Sequence, residues 1–304
     1  MAIRNQYNPE SIPHPGITLS EKLSEMEMGP KEFALRSGKP EKTIIAILSG
    51  KSAITPDMAI QFEMVTKIPA TYWMNHQGGY DEYIARIKRQ KEIKAAHSWS
   101  TKFPVDEMID LGWLPKLKND DEKTNELLSY FGFASHKAWE KYYFKQQLKV
   151  AFQISLSESN KPHAISSWLR KGELQAKNLN ANNYTKTKFK NALPVLKAIA
   201  QNKKLISFEE LQQICLDNGV KVVHTPVLKD APINGATRWI KDTPLIQLSN
   251  ISKLNDNFWH TFFHEVAHII LHGKKEIFLE NLTFNQRTKI KEKEADEFAR
   301  KWTP

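Results

Sequence analysis

The sequence predicts a mainly α-helical protein of several domains, with a smaller α+β domain at its C-terminal end. Three observations favour this fold class. The 304 residues are enough for two or three hydrophobic cores. Short helical segments with clear stop signals fill residues 16–77, and residues 80–204 are also helical apart from a polar loop over 178–188. Alternating apolar runs follow between Val220 and Leu248. We therefore expect three domains, over residues 1–90, 91–204 and 205–304.

Composition narrows the class of protein further. Apolar residues make up 40% of the chain, and residues 1–10 lack the apolar core of a signal peptide. No uninterrupted apolar run approaches the length of a membrane span, so we expect a soluble, cytoplasmic protein without membrane partners. The single cysteine, Cys215, excludes an internal disulfide and a cysteine-rich zinc site. Histidine and carboxylate remain as the strong metal ligands.

The first domain shows four short helical segments. Gly29-Pro30 opens the second, Ser37-Gly38-Lys39-Pro40 makes a tight turn into the third, and Thr55-Pro56-Asp57 supplies an N-cap and an acidic first turn to the fourth. Two helices joined by a short turn that contains glycine are typical of a helix-turn-helix, although an ordinary helical bundle has the same pattern.

A resemblance favours the helix-turn-helix. Ser49-Gly50-Lys51, residues 54–59 and Tyr72-Trp73-Met74-Asn75 are similar to the HigA-type antitoxin domains of the Xre class, over roughly residues 11–90. The resemblance implies binding to operator DNA. The candidate DNA-binding residues are the following: Lys39, Lys42, Thr43 and Lys51.

The chain departs from that class at two places. Pro30-Lys31 stands where Ser-Gln commonly opens the second helix, and Ile45 and Ala46 occupy base-facing positions of the third helix that are usually polar. Because base edges are read through hydrogen bonds, sequence-specific binding is weakened, and a protein-binding surface is the alternative.

The middle region, residues 80–204, is helical and rich in lysine, and it carries no motif with attached chemistry. The net charge of +10 lies mostly here, and charge alone supports nonspecific attraction without predicting a fold. We interpret aromatic residues such as Phe131, Trp139 and Trp168 as the core beneath a solvated face. A nucleic-acid surface is the alternative interpretation.

Alternating runs over 220–224 and 233–240, and a third run over 245–248, predict a small sheet. An apolar helix follows from Asn257 to His272 and ends at Gly273. It contains His264-Glu265-Val266-Ala267-His268, which places two imidazoles on one helix face, about 40° apart. This spacing suits zinc, and Glu265 is placed to act as a base for a bound water.

Ordinary core histidines are the alternative explanation of this motif. The helix is apolar nearly all round, so polar groups inside it need partners. His260 and His272 continue the four-residue spacing, but each turn of an α-helix drifts about 40° from the ligand face. We expect these two histidines beside the ligands or at the helix end.

A zinc site needs a third protein ligand, and we predict Glu294. This residue lies at i±4 from Ile290 and Phe298 in a downstream helix, between apolar positions, whereas Glu292 and Asp296 fall on the side that we interpret as charged. A carboxylate on an apolar face favours a cation as its neighbour. The alternatives are an i,i+4 salt bridge within the helix and a solvated position at the edge of the apolar stripe.

These residues closely resemble the ImmA/IrrE metallopeptidase family. The resemblance covers residues 258–275 and 292–299, and the segments Gly235–Trp239 and Pro244–Ser249 fit the strands of the same family. It implies a zincin-like domain that holds zinc through His264, His268 and Glu294, with Glu265 as base. Family members usually continue beyond the position of Pro304, so we expect a site that is less enclosed.

The predicted function is that of a zinc-dependent regulatory protease and transcriptional regulator. The resemblance to the ImmA/IrrE family implies that its substrate is a repressor or antitoxin protein. The alternative is a non-enzymatic HigA-like antitoxin or repressor with a structural or sensory metal site. Operator DNA, a cognate toxin and a second copy of the chain in a homodimer are further candidate partners.

Overall fold

The computed structural model describes residues 11–146, 161–201, 206–251, 255–274, 278–279 and 286–304. It divides into two compact units, Met1–Glu92 and Ile93–Pro304. The sequence predicts separate domains for 91–204 and 205–304, whereas the structure places residues 93–304 in one unit. No helix among the described residues is long and apolar enough to cross a membrane.

The first unit is a bundle of helices around one apolar core. The helices are α1 (Pro15–Glu25), α2 (Pro30–Ser37), α3 (Glu41–Leu48), α4 (Pro56–Thr66) and α5 (Ala70–Ala95). Gly38 ends α2 in the left-handed conformation, at φ 66°, and the Thr55 side chain accepts from the Met58 backbone N–H at the start of α4. Helix α3 packs against α1 and α2, which is the arrangement of a helix-turn-helix.

The core of this unit is formed by apolar side chains at helical spacing. Its largest fully buried members are Leu19, Phe33, Ile44, Ile47, Phe62 and Trp73. Ile44 and Ile47 come from α3, so burial of this face leaves the opposite face of α3 in solvent.

The second unit begins with short helices and then two longer ones. They are α6 (His97–Ser100), α7 (Val105–Asp110), α8 (Asp120–Phe131), α9 (His136–Glu140), a π-helical turn (Lys141–Gln146), α10 (Pro162–Lys177), α11 (Lys186–Gln201) and α12 (Phe208–Asp217). Most of the described aromatic side chains of this region are buried, as the sequence predicts, with Trp99, Phe131, Trp139 and Trp168 at its centre. Tyr142 is an exception, at 40% exposure.

A four-stranded sheet follows, in the order β1-β3-β2-β4. Its strands are β1 (Lys221–His224), β2 (Gly235–Ile240), β3 (Thr243–Leu248) and β4 (Phe278–Leu279). Strands β1 and β3 are parallel, whereas β2 is antiparallel to β3 and to β4. The three longer strands match the predicted runs.

Helix α13 (Asp256–Ala267) packs against β2 and β3, and α14 (Gln286–Trp302) packs against α13. Val222 and Ile246 of the sheet share a core with Phe262 and Val266 of α13 and with Ala299 of α14. A second core joins the aromatic helices to residues 228–236. Because both cores draw residues from each side of position 204, the middle region does not pack as a separate body.

Candidate functional site

The candidate site lies at the C-terminal end of α13. Asn255 caps this helix, because its side-chain oxygen accepts from the Phe258 N–H at 3.1 Å. The helix continues as a π-helical turn over His268–His272 and stops at Gly273, whose φ is 75°. Its apolar side chains pack against the sheet, and this packing carries His264, Glu265 and His268 into the interior, at 3%, 0% and 1% exposure.

Three side chains converge here. His264 Nε2 lies 3.1 Å from His268 Nε2 and 3.0 Å from Glu292 Oε2, and His268 Nε2 lies 3.6 Å from Glu292 Oε1. Among the residues that the structure describes, these three form the one group of histidines and carboxylates able to hold a metal ion. Two candidate ligands on α13 and its π-helical extension therefore meet a third candidate on α14.

The hydrogen-bond partners determine which nitrogens face this centre. His264 Nδ1 lies 2.9 Å from Asp296 Oδ1, and a carboxylate accepts only, so Nδ1 carries the proton and donates it. When only Nδ1 of His264 is protonated, its Nε2 lone pair points toward Glu292 and His268. Without a cation, Nε2 lies 3.0 Å from Glu292 Oε2 and must itself carry a proton to donate to that carboxylate. A single proton on His264 Nε2 can be shared between Glu292 and His268. A divalent cation instead accepts lone pairs from His264, His268 and Glu292 at once.

The distances and the donor set fit zinc. Tetrahedral zinc with bonds near 2.0–2.1 Å holds its nitrogen and oxygen ligands about 3.3 Å apart, and the three separations here bracket that distance. Burial, with smaller contributions from His264, His272 and Lys291, lowers the pKa of His268 well below 6.5. His268 is therefore neutral near pH 7, which is the form that binds a metal.

Glu294, the predicted third ligand, does not reach this group. Its side chain is 53% exposed and its Oε2 lies 2.9 Å from His272 Nε2. The apolar pattern predicts that Ile290 is buried, but Ile290 is 60% exposed. The buried face of α14 is centred on Ala295 and Ala299 instead. Glu292 lies beside that face, and Glu294 lies about 160° away from Glu292 around the helix.

Glu265 lies next to His264 in sequence and its side chain faces the start of β2. Oε1 of Glu265 is so close to Gly235 that a Cβ on that glycine would stand 2.5 Å from it. Thr237 of the same strand donates its hydroxyl to the Glu265 backbone oxygen at 2.9 Å. The Thr237 hydroxyl therefore holds the helix turn at Glu265, and β2 lies directly against the Glu265 carboxylate.

The other two histidines differ in their positions. His272 Nδ1 lies 3.0 Å from His268 Nδ1, which places it directly beside a candidate ligand. His260 borders a polar cleft of about 350 Å³ along α13, which is also lined by Thr261, Asn234 and Asn257.

Sequence reasoning missed Glu292, Asp296 and the role of Gly235. Glu292 and Asp296 are four residues apart, so they project from one face of α14, one turn apart. The i,i+4 spacing of these two carboxylates is visible in the sequence. It indicates a ligand and its hydrogen-bond partner only once the buried face of α14 is known.

The predicted DNA-binding residues differ in exposure and in charge pairing. Lys42 and Lys51 are exposed and Thr43 is half-buried. Lys39 instead forms an ion pair with Asp57, and its side chain is only 17% exposed. Ile45 is 50% exposed on α3, so an apolar side chain stands on the outward face of that helix.

Comparison with known proteins finds relatives for part of this chain. No family model matches it. It is 34% identical over 68 residues to the uncharacterised HTH-type transcriptional regulator YddM of Escherichia coli (strain K12), and the match covers 22% of this chain and 72% of that protein.

Among the solved structures that are similar to about a quarter of this chain, two carry the HigA name. One is an addiction module antidote protein of the HigA family from Coxiella burnetii, 30% identical, which covers 28% of this chain and 92% of its own, at a TM-score of 0.26. The other is the Pseudomonas aeruginosa antitoxin HigA with the higBA promoter, 29% identical, which covers 28% and 94%, at a TM-score of 0.26.

Proposed function

Since the chain belongs, through its N-terminal unit, to the HTH-type transcriptional regulators, we propose that it binds operator DNA with that unit and zinc with the other. The identity of 34% to such a regulator, and the packing of α3 against α1 and α2, support the first part. The convergence of His264, His268 and Glu292 supports the second, and it is the observation on which the metal proposal depends.

For the DNA-binding unit, the outward face of α3 is the contact surface in this proposal. Lys42 on that face and Lys51 beyond its C-terminal end supply positive charge for phosphates. Ile45 offers an apolar surface of the kind that packs against a thymine methyl group. The similarity of residues 49–51, 54–59 and 72–75 to HigA-type domains supports an antitoxin or a repressor of its own promoter as the regulator class that we propose.

For the metal centre, three protein ligands leave one coordination position of a tetrahedral ion to water or substrate. Zinc at this centre would act as a Lewis acid and lower the pKa of a water molecule to about 7. Asp296 holds His264 through Nδ1, and burial keeps His268 neutral. A centre with these properties serves as a sensor of zinc for the regulator, or as a site of hydrolysis.

A specific observation favours hydrolysis as the second candidate function. Glu265 follows the first histidine and carries a buried carboxylate that lies against β2, and a purely structural metal site does not need such a group. In this proposal Glu265 takes a proton from the attacking water at a carboxylate oxygen and returns it to the leaving amine. The substrate class is a repressor or antitoxin protein.

The experiment that tests the proposed function measures DNA binding and metal content on the same purified chain. A DNA fragment from upstream of the gene is titrated with protein that carries zinc and with protein stripped by a chelator. Binding of both DNA and stoichiometric zinc supports the regulator with a metal centre. Failure to bind the fragment in either form contradicts the regulatory part, and absence of zinc contradicts the metal part.

A further inference from the structure

His272 and Glu294 extend the candidate metal centre on the side away from Glu292. His268 Nδ1 lies 3.0 Å from His272 Nδ1, and His272 Nε2 lies 2.9 Å from Glu294 Oε2. The His272 side chain is only 4% exposed, whereas the Glu294 side chain is 53% exposed. The three residues therefore form a continuous hydrogen-bonded chain from a buried ligand to a carboxylate at the surface.

The π-helical turn makes this chain of contacts possible. In a regular α-helix His272 would drift about 40° from His268 around the axis. The segment His268–His272 is π-helical instead, and each residue of a π turn advances through a smaller angle than in an α turn. His272 is therefore brought back toward the face that carries His268, where their rings lie 5.1 Å apart.

The direction of the hydrogen bonds follows from the carboxylate. Glu294 accepts only, so His272 Nε2 carries a proton and donates it. In neutral His272 the other nitrogen, Nδ1, then has a lone pair and accepts. His268 Nδ1 must therefore be the donor in the contact between the two rings, and the proton of neutral His268 is on Nδ1.

We propose that His272 is a positioning residue, backed by Glu294, which holds His268 in the tautomer whose Nε2 lone pair faces the metal. The inference rests on the proposed zinc centre. The two ligands then have different supports: Asp296 holds His264 directly, and an imidazole with a carboxylate behind it holds His268. Such partners behind a ligand fix its tautomer and orientation, and their loss typically costs 10- to 100-fold in metal affinity.

The first test observes the tautomer itself. The probe is metal-free, full-length protein labelled with ¹⁵N in histidine, and long-range proton–nitrogen NMR reports which ring nitrogen of His268 carries the proton. We expect the proton on Nδ1 in the wild type and a shift toward Nε2 in His272→Leu. A His268 that carries its proton on Nε2 in the wild type overturns the inference.

The second test measures zinc affinity by competition with a chromogenic chelator. His272→Leu should bind zinc about 10- to 100-fold more weakly, whereas His272→Gln, whose amide oxygen can accept from His268, should keep most of the affinity. Glu294→Ala should weaken binding, and Glu297→Ala is the matched control, because Glu297 is an exposed glutamate on the same helix. Equal affinity of His272→Leu and the wild type overturns the inference.

Two results separate this inference from the proposed function. If the wild type itself binds no zinc, the proposed metal centre is wrong, and the tautomer of His268 still decides whether His272 positions it. If His272→Leu does not fold, Glu294→Ala replaces it, since Glu294 is exposed and its removal leaves the core intact. A Glu294→Ala variant with the affinity of the Glu297→Ala control then counts against the inference.

Discussion

The carboxylate of Glu265 lies against the backbone of Gly235. A Cβ at position 235 would stand 2.5 Å from Glu265 Oε1 and 3.0 Å from Thr261 Cγ2, and the first distance is shorter than any normal contact of a Cβ atom. Gly235 is the first residue of β2, and it pairs with Leu248 of β3. The strand cannot move away without breaking this pairing, so the close approach depends on the absence of a side chain at position 235.

This relationship predicts the effect of Gly235→Ala. The added methyl group should displace the Glu265 carboxylate while the histidines and Glu292 keep their places. We expect unchanged zinc content and a rate of cleavage of the repressor or antitoxin substrate that is lower by about 10-fold or more. Small misplacements of a reacting group reduce the rate by this order. Gly78→Ala is the control, because a Cβ there meets no atom within 4 Å. Unchanged hydrolysis in Gly235→Ala would show that β2 does not position Glu265.

Glu265→Gln separates a hydrolytic centre from a regulator that only binds metal. The substitution keeps the shape of the side chain and both histidines but removes the base. If the centre is hydrolytic, zinc should remain while cleavage falls by roughly 10²-fold or more. The measurement compares the levels of candidate repressor and antitoxin proteins in cells that carry the wild type or the variant.

His264→Ala is the matched control for that comparison, since it should lose both zinc and cleavage. Equal protein levels in the wild type and Glu265→Gln, with unchanged regulation of neighbouring genes, would favour the non-enzymatic antitoxin or repressor.

DNA binding should depend on Lys42 more than on Lys39. Lys42 is exposed on α3, whereas the charge of Lys39 is already paired with Asp57. Lys42→Ala should weaken binding to the promoter fragment and reduce the slope of log affinity against log salt by about 1, which corresponds to one phosphate contact. Lys39→Ala should change that slope less. A complex that persists in high salt and ignores Lys42→Ala would place the DNA-binding surface elsewhere.

The stability of the second unit should fall in acid because of His163. Burial, followed by the charge of Lys102, lowers the pKa of His163 to about 4 from 6.5, and its ring stacks on Trp139. Between these two values the unfolded chain binds a proton that the folded chain does not, so the free energy of unfolding decreases as the pH falls from 6.5 to 4. Below pH 4 both states are protonated and this contribution no longer changes.

The variant His163→Gln removes that titration. Denaturant unfolding of both proteins at several pH values should show a smaller acid loss in the variant than in the wild type. Parallel curves for the two proteins would mean that His163 is protonated in the folded state as easily as in the unfolded state.

Much of the fold follows from local signals. The cap at Thr55, the stop at Gly273 and the burial of Trp139 and Trp168 agree with the sequence, because these features depend on residues close in the chain or on apolarity alone. His264 and His268 were recognisable for the same reason, since their spacing within one helix sets their relation.

The third member of the centre was not recognisable in this way. The identity of this third residue depends on which face of α14 is buried. Ile290 is apolar but exposed, and counting it among the buried positions leads to Glu294 instead of Glu292. The role of His272 was hidden because a π-helical turn replaces α-helical geometry after Ala267. The ion pair of Lys39 with Asp57 joins residues 18 positions apart, so local sequence patterns do not predict it.

The most direct test is the zinc content of purified wild type, Glu292→Ala and Glu294→Ala protein, measured by mass spectrometry after removal of loosely bound metal. We expect one zinc per wild-type chain, loss of that zinc in Glu292→Ala, and retention with weaker affinity in Glu294→Ala. The reason is that Glu292 lies 3.0 Å from His264, whereas Glu294 contacts His272 instead. A wild type without zinc, or a Glu292→Ala variant that retains all of it, would contradict the proposed centre.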